Sequence, residues 1–305
     1  MPLLNLSHVT RYTYRQAVRF GEHRIMVRPR ESYDQHLIDA ELKISPEPSD
    51  VRWLQDVFGN SVAIATFDGA ARELVIDSRV RVEHRPTELL HVDIEGYARS
   101  YPFTYSSEDM PDLIRSIERQ HLDPLREIDS WARRFVNPSG PTDTLAMLTD
   151  MTETIKREFT YVKRAEKGTQ NPIVTLEKRR GTCRDYAMLM IEAVRALGFA
   201  ARFVSGYVYS PAVGERRSGG GSTHAWVRVY LPGSGWVEFD PTNGIVGNRG
   251  LIRVAIARDI YQAVPVSGTW SGFPGSFLDM SVSVDIRVDT DLSPASPAIR
   301  AGSRS

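Results

Sequence analysis

The one cysteine in 305 residues, Cys183, lies in the run Gly181-Thr182-Cys183-Arg184-Asp185-Tyr186-Ala187. The segment after it, Met188 to Leu197, is apolar-rich, lacks proline and is closed by Gly198. That pattern predicts a helix that starts at or beside the cysteine and is capped by the glycine. A thiol there sits among unpaired backbone N–H groups, at the positive end of the helix dipole. Both favour the thiolate, which is the nucleophilic form. A free cysteine is more often a small buried hydrophobe, so it needs partners before it counts as reactive. Two later stretches offer them. Ser222-Thr223-His224-Ala225-Trp226 opens an alternating segment, and Trp236-Val237-Glu238-Phe239-Asp240-Pro241-Thr242-Asn243-Gly244 follows a Pro-Gly-Ser-Gly turn. Cysteine, histidine and aspartate in that order supply a nucleophile, a base and an orienting carboxylate.

The spacing of the last two predicts an antiparallel hairpin, with His224 starting one strand and Asp240 ending the next. They share a face only if cross-strand partners have position numbers with an even sum. Arg228 opposite Trp236 would set them directly across from each other. Tyr230 opposite Trp236 would make them diagonal neighbours, still within reach. In the chemistry this predicts, Cys183 attacks an amide carbonyl and forms a thioester. His224 takes the thiol proton and returns one to the leaving amine, while Asp240 steadies the imidazolium. The Cys183 backbone N–H is a natural oxyanion donor. Asp185, in the first helical turn, is expected to cap or make a salt link. Tyr207, Trp226 and Trp236 are candidates to line the substrate cleft; for the two tryptophans core packing is the first expectation, with walling the cleft or packing the hairpin beside it.

The stretches GTCRDYAMLMIEAVRALGFAARFVSGYVY and STHAWVRVYLPGSGWVEFDPTNG resemble the core of the bacterial transglutaminase-like superfamily. Residues 1–100 look like the N-terminal β region that accompanies this core in many bacterial members. The resemblance implies the same three roles for Cys183, His224 and Asp240. One departure is Ala257, which stands before Arg258-Asp259 where the superfamily often has glycine; it bears on a local turn.

These residues need a scaffold, and the chain reads as α+β: an N-terminal antiparallel β domain, then a papain-like, transglutaminase-like core. Leu6–Tyr14, Arg24–Arg30, Gln35–Ser45, Val51–Val57, Ser61–Phe67 and Arg72–His84 are short strand candidates, with Asp68-Gly69 a hairpin signal. They suggest a sandwich or barrel-like unit over 1–100. His8, His23, His36, His84 and His91 are scattered through it without metal-ligand spacing. The rings of Tyr97, Tyr101, Phe103 and Tyr105 mark a linker that could pack across the junction. Helical signals follow over Pro111–Val136 and Thr142–Phe159, and Lys163–Lys178 reads as a polar loop. Ala212–Ser222, with three consecutive glycines, reads as a loop beside His224 and lacks the ending of a phosphate-binding loop. The catalytic core is expected over 101–288, ending on an alternating strand from Ser276, and 289–305 as a disordered tail.

Composition narrows the partners. Lys+Arg and Asp+Glu both number 38, so charge points neither to nucleic acid nor to an anionic membrane. A hydrophobic share of 41% and a charged share of 25% are those of an ordinary globular chain. No segment approaches the ~18 apolar residues of a membrane span. The N-terminus lacks the apolar core of a secretory signal, and a lone thiol suits a reducing compartment, so a cytoplasmic location is expected. No metal or cofactor is expected, calcium included. The substrate is expected to be a protein or peptide amide. The acyl group then passes to a primary amine or, as in a protease or amidase, to water. A non-catalytic binding module on the same fold is the reading from another class.

Overall fold

The structure, a computed structural model, describes residues 2–86, 92–162, 168–210 and 221–289. The chain first lays down five strands: β1 (Leu3–Ile25), β2 (Gln35–Ser45), β3 (Asp50–Gln55), β4 (Ser61–Thr66) and β5 (Ala70–His84). Short strands β6 (Ser100–Tyr101) and β7 (Thr142–Asp143) bracket helices α1 (Met110–Ile117) and α2 (Glu127–Arg133). Helix α3 (Thr144–Glu158), strand β8 (Thr160–Tyr161), helix α4 (Pro172–Lys178) and strand β9 (Arg180–Gly181) lead into α5 (Cys183–Ala196). Five strands follow: β10 (Ala201–Val208), β11 (His224–Leu231), β12 (Gly235–Asp240), β13 (Ile245–Val246) and β14 (Leu251–Ala257). Strands β15 (Val266–Ser271) and β16 (Phe277–Asp289) close the described chain.

The α+β expectation holds. The core sheet runs β13-β12-β11-β10-β14 and every pairing in it is antiparallel. Helix α5 packs on it and is buried nearly all round: twelve of its fourteen residues are interior. Such a helix needs every polar side chain satisfied. Glu192 accepts from the Gln120 and His121 amides, and Arg195 donates to the Ser116, Ala201 and Arg258 carbonyls. Ala225, Val227, Val229 and Leu231 of β11 meet the helix layer, together with Leu148, Met151 and Ile155 of α3. The linker aromatics pack on the core: Tyr101 stacks on Phe199, just past α5, with ring centroids 5.6 Å apart.

Three expectations need correction. Leu6–Tyr14 and Arg24–Arg30 are not separate strands. Bulges at Thr13/Val18 and Phe20/His23 let one 23-residue strand change partners along its length. The stretch Lys163–Lys178 is not all loop, because Asn171 caps α4 through its side chain. Most important, residues 266–288 do not belong to the core sheet. β16 pairs with β1 from Leu3↔Asp289 to Tyr14↔Phe277, and β15 pairs with it at Arg19–Ile25. The reason is the open edge of β1: β5 covers one side of its first half, and only a further strand can satisfy the other. The N-terminal sheet is therefore seven-stranded and is built from both ends of the chain. The tail beyond Asp289 lies outside the described residues, as do His91 and most of the Ala212–Ser222 loop.

The two sheets share an interior. Leu4, Leu6, Val80 and Val82 of the N-terminal sheet pack against Tyr207, Tyr209, Ile252 and Val254. Buried histidines stitch the contact. His8 Nδ1 lies 2.8 Å from the Tyr207 hydroxyl, and His84 Nδ1 lies 2.9 Å from that of Tyr209. Beside them Arg253 is buried on β14. It pairs with Asp34 and, at 2.9 Å, with Glu238, while Asn248 also donates to Asp34.

Candidate active site

Cys183 is the first residue of α5, and the turn before it is fixed by one carboxylate. Asp185 accepts from the Thr182 amide (2.7 Å), the Thr182 hydroxyl (2.9 Å) and the Gln170 amide (2.7 Å). This is a reciprocal cap, the role expected of Asp185. Gly181 is required there: a Cβ on it would lie 2.8 Å from the Asp185 Cβ. A parallel bridge pairs Tyr161↔Gly181, which carries the Tyr161 hydroxyl to the cysteine.

His224 and Asp240 sit where the hairpin argument required. Tyr230 pairs with Trp236, so the sum is even and the two are diagonal neighbours on one face. His224 Nε2 lies 2.8 Å from Asp240 Oδ2, and both side chains are fully buried. A carboxylate only accepts, so Nε2 carries the proton. That leaves Nδ1 free to take one from a thiol, and Nδ1 is buried with no hydrogen bond of regular geometry. Asp240 is saturated. Its Oδ1 accepts from the Thr242 amide at 2.9 Å, and the Asn243 side-chain amide donates to Oδ2 at 2.7 Å.

The electrostatics favour a charged pair. Burial alone would push the Cys183 thiol up, but hydrogen bonding and charge from His224, with a smaller pull from Arg184, hold it below its ordinary value. Burial alone would likewise depress His224. The Asp240 carboxylate and Cys183 outweigh it and raise the imidazole. Asp240 in turn is held low: burial works against ionisation and loses to His224, Asn243 and the Thr242 amide. Tyr161 is raised, first by burial and then by the charge of and hydrogen bonding to Cys183. A buried thiolate–imidazolium pair beside a carboxylate is the arrangement these shifts describe.

None of the three cleft candidates lines the space beside His224, and the two tryptophans pack as the sequence favoured. Tyr207 is 1% exposed and points into the contact with the N-terminal sheet. Trp226 is wholly buried beneath His224, with ring centroids 5.9 Å apart and planes 26° from parallel. It is seated by Gly206, where a Cβ would come within 2.7 Å of the indole. Trp236 lies at the far end of the hairpin, against Tyr230 and under the Arg202 guanidinium at 4.2 Å. All three pack the sheet. The space beside His224 is lined instead by Arg184, Phe203, Ser205, Thr223, Ile260 and Ala263.

Two contributors escaped the sequence reading, Asn243 and Tyr161. Asn243 stands in the Asp-Pro-Thr-Asn run, whose spacing is that of an aspartate bonding the amide two residues on; that turn was the available signal. Tyr161 gave none, since it reaches Cys183 only through the β8–β9 bridge. Among the described residues no cluster of three or more histidine, cysteine or acidic side chains could hold a metal. No described helix is long and apolar enough to cross a membrane.

Comparison with known proteins places this geometry in context. Residues 4–83 match the bacterial transglutaminase-like N-terminal region, and residues 129–241 match the transglutaminase-like superfamily core. An uncharacterised protein of Mycobacterium tuberculosis is 29% identical over 290 residues, covering 92% of this chain and 91% of its own. A crystal structure from Cytophaga hutchinsonii, of a protein thought to be a cysteine protease, superposes with a TM-score of 0.66. It is 20% identical and covers 96% of this chain and 93% of that one, a likeness of fold. Over 80 residues the chain is 35% identical to the protein-glutamine gamma-glutamyltransferase of Pseudomonas aeruginosa, covering 24% of this chain and 11% of that protein.

Proposed function

The chain belongs to the transglutaminase-like superfamily, and from that premise we propose that it is a cysteine acyltransferase acting on amide groups of polypeptides. One observation carries the reading: a helix-start thiol held low beside an imidazole held high, with that imidazole anchored at 2.8 Å to a buried carboxylate. In the charged pair the thiol proton already rests on His224 Nδ1 when the first half-reaction begins. Sγ bonds to the amide carbon, and the carbonyl oxygen takes the negative charge near the Cys183 N–H, which has no partner within the helix. The C–N bond then breaks, the imidazolium returns its proton to the departing amine, and a thioester remains. In the second, an incoming amine loses a proton to His224, attacks the thioester and regenerates the thiol. Asp240 keeps Nε2 protonated throughout and Asn243 keeps Asp240 in place.

The local likeness to a protein-glutamine gamma-glutamyltransferase supports an amine as acceptor and a glutamine side chain as donor. Water in the same place would give a protease or amidase with an identical first half. The test incubates the protein with a glutamine-containing peptide and a fluorescent primary amine and follows products by mass spectrometry. Amine incorporation that is abolished by Cys183→Ser is the expected result. Cleavage or deamidation without incorporation would make it a hydrolase. No product, together with Cys183 alkylation indifferent to His224→Ala, would return the molecule to a binding module.

A further inference from the structure

A second, larger cavity of about 460 Å³ opens from the same site, sharing Arg184, Thr223, Val264 and Pro265 with the space beside His224. Its floor is one face of the N-terminal sheet. His8, Thr10, Tyr12 and Tyr14 alternate along β1, and the register sets Val282 opposite Thr10, Met280 opposite Tyr12 and Phe277 opposite Tyr14. Trp270 of β15 and the segment Val264–Gly268 make a wall. From His8 to Tyr14 the floor runs roughly 20 Å at the rise of an extended strand. Met280 is 46% exposed there, a large apolar side chain turned to solvent.

The charge along this groove is one-sided. Among the described lining residues Arg184 is the single permanent cation, at the catalytic end, and none is a carboxylate. The two histidines add little: burial holds His8 down at about 4 and also depresses His23, against the bond to the Gly21 carbonyl. The remaining surface is aromatic, aliphatic and hydroxyl. Among the described residues such a lining rewards apolar side chains with a few hydrogen-bonding positions and, Arg184 at the catalytic end apart, offers a charged one no partner.

We propose that this groove is the substrate subsite: it holds an extended segment of the polypeptide that carries the reacting amide and selects for bulky apolar side chains there. The inference rests on the acyl-transfer reading of Cys183. It gives the N-terminal sheet a task, that of presenting the substrate to a cysteine on the other sheet. A small molecule would not need a floor roughly 20 Å long, and the chemistry next door acts on amides.

The test compares alkylation of Cys183 by three probes: iodoacetamide, a chloroacetyl-capped hexapeptide containing phenylalanine and leucine, and the same peptide with serine at those positions. In each peptide reaction Sγ displaces chloride from the capping carbon. The ratio of peptide rate to iodoacetamide rate is the readout. The apolar peptide is expected to show a ratio at least ~10-fold above that of the serine peptide, because two buried apolar side chains are worth well over the ~1.4 kcal/mol that this factor needs. Met280→Lys and Tyr12→Ser, checked for unchanged melting, are each expected to erase most of that advantage. Equal ratios for the two peptides, or an advantage that survives in both folded variants, would overturn the groove. Iodoacetamide labelling that is slow and indifferent to His224→Ala would instead sink the catalytic reading, whatever the peptides do.

Discussion

Cys183 and His224 titrate as a unit, and the sign of each shift sets the pH dependence. The thiol is held below its ordinary value and the imidazole above its own. The charged pair therefore forms as pH rises through the lowered thiol value and is lost as pH rises further through the raised imidazole value. A bell-shaped profile is expected for acyl transfer, its acid limb below the range of a free thiol and its alkaline limb above that of a free histidine. His224→Ala should collapse it, slowing iodoacetamide alkylation at pH 6 by about 10–100-fold, since only a small fraction of an ordinary thiol is ionised there. Asn243→Ala removes one donor from a buried carboxylate and should lower kcat by about tenfold, as expected for a charge-assisted hydrogen bond. In that variant Cys183 alkylation should still depend on His224. The three residues of the proposed triad stood out in the sequence because each is marked by type and by an element boundary: a helix start, a strand start, a strand end. Asn243 and Tyr161 were not, because their roles come from a turn and from a bridge between distant segments.

At the scale of elements, the hairpin was readable to within one choice of register, and the choice made is Tyr230 opposite Trp236. The pairing of β15 and β16 with β1 was not readable. Alternation tells which face of a strand is buried, but not which edge it joins. The cluster at Arg253 was likewise hidden, since Asp34 lies 219 residues before Arg253 in sequence. It is the contact where the elements can be tested. Arg253→Ala leaves the buried Asp34 carboxylate without its cation and Glu238 with Arg228 alone, at 3.2 Å, and should cost about 3–5 kcal/mol in chemical denaturation. Asp34 also gives the wild type an acid signature. Burial opposes its ionisation, but the Arg253 guanidinium, Ser32 and Asn248 bring it from 3.8 down to about 2. A depressed carboxylate stabilises fully above its unfolded value and loses that contribution as pH falls through its folded one. Unfolding free energy should thus drop between about pH 4 and pH 2, and the drop should be smaller in Asp34→Asn.

For the molecule as a whole, the sheet that forms the groove cannot be cut out at residue 100. Residues 1–100 alone lack β15 and β16, so β1 keeps a long open edge beside the exposed apolar face that normally meets Tyr207 and Ile252. That fragment is expected to aggregate or to show no cooperative melt, by size-exclusion chromatography and circular dichroism. A chain truncated after Val264 should also fail to give His224-dependent alkylation. The composition reading of an ordinary globular chain holds at this scale, but the division into successive domains misses the return of the chain. That return has a consequence in time. A ribosome releases Leu3 long before Asp289, its eventual neighbour in the ladder. At about 5–20 residues per second, the opening strand waits many seconds with one flank uncovered, while the cysteine helix and its sheet are already outside. The groove is finished last, so a nascent chain carries its thiol before it has a place to hold a substrate.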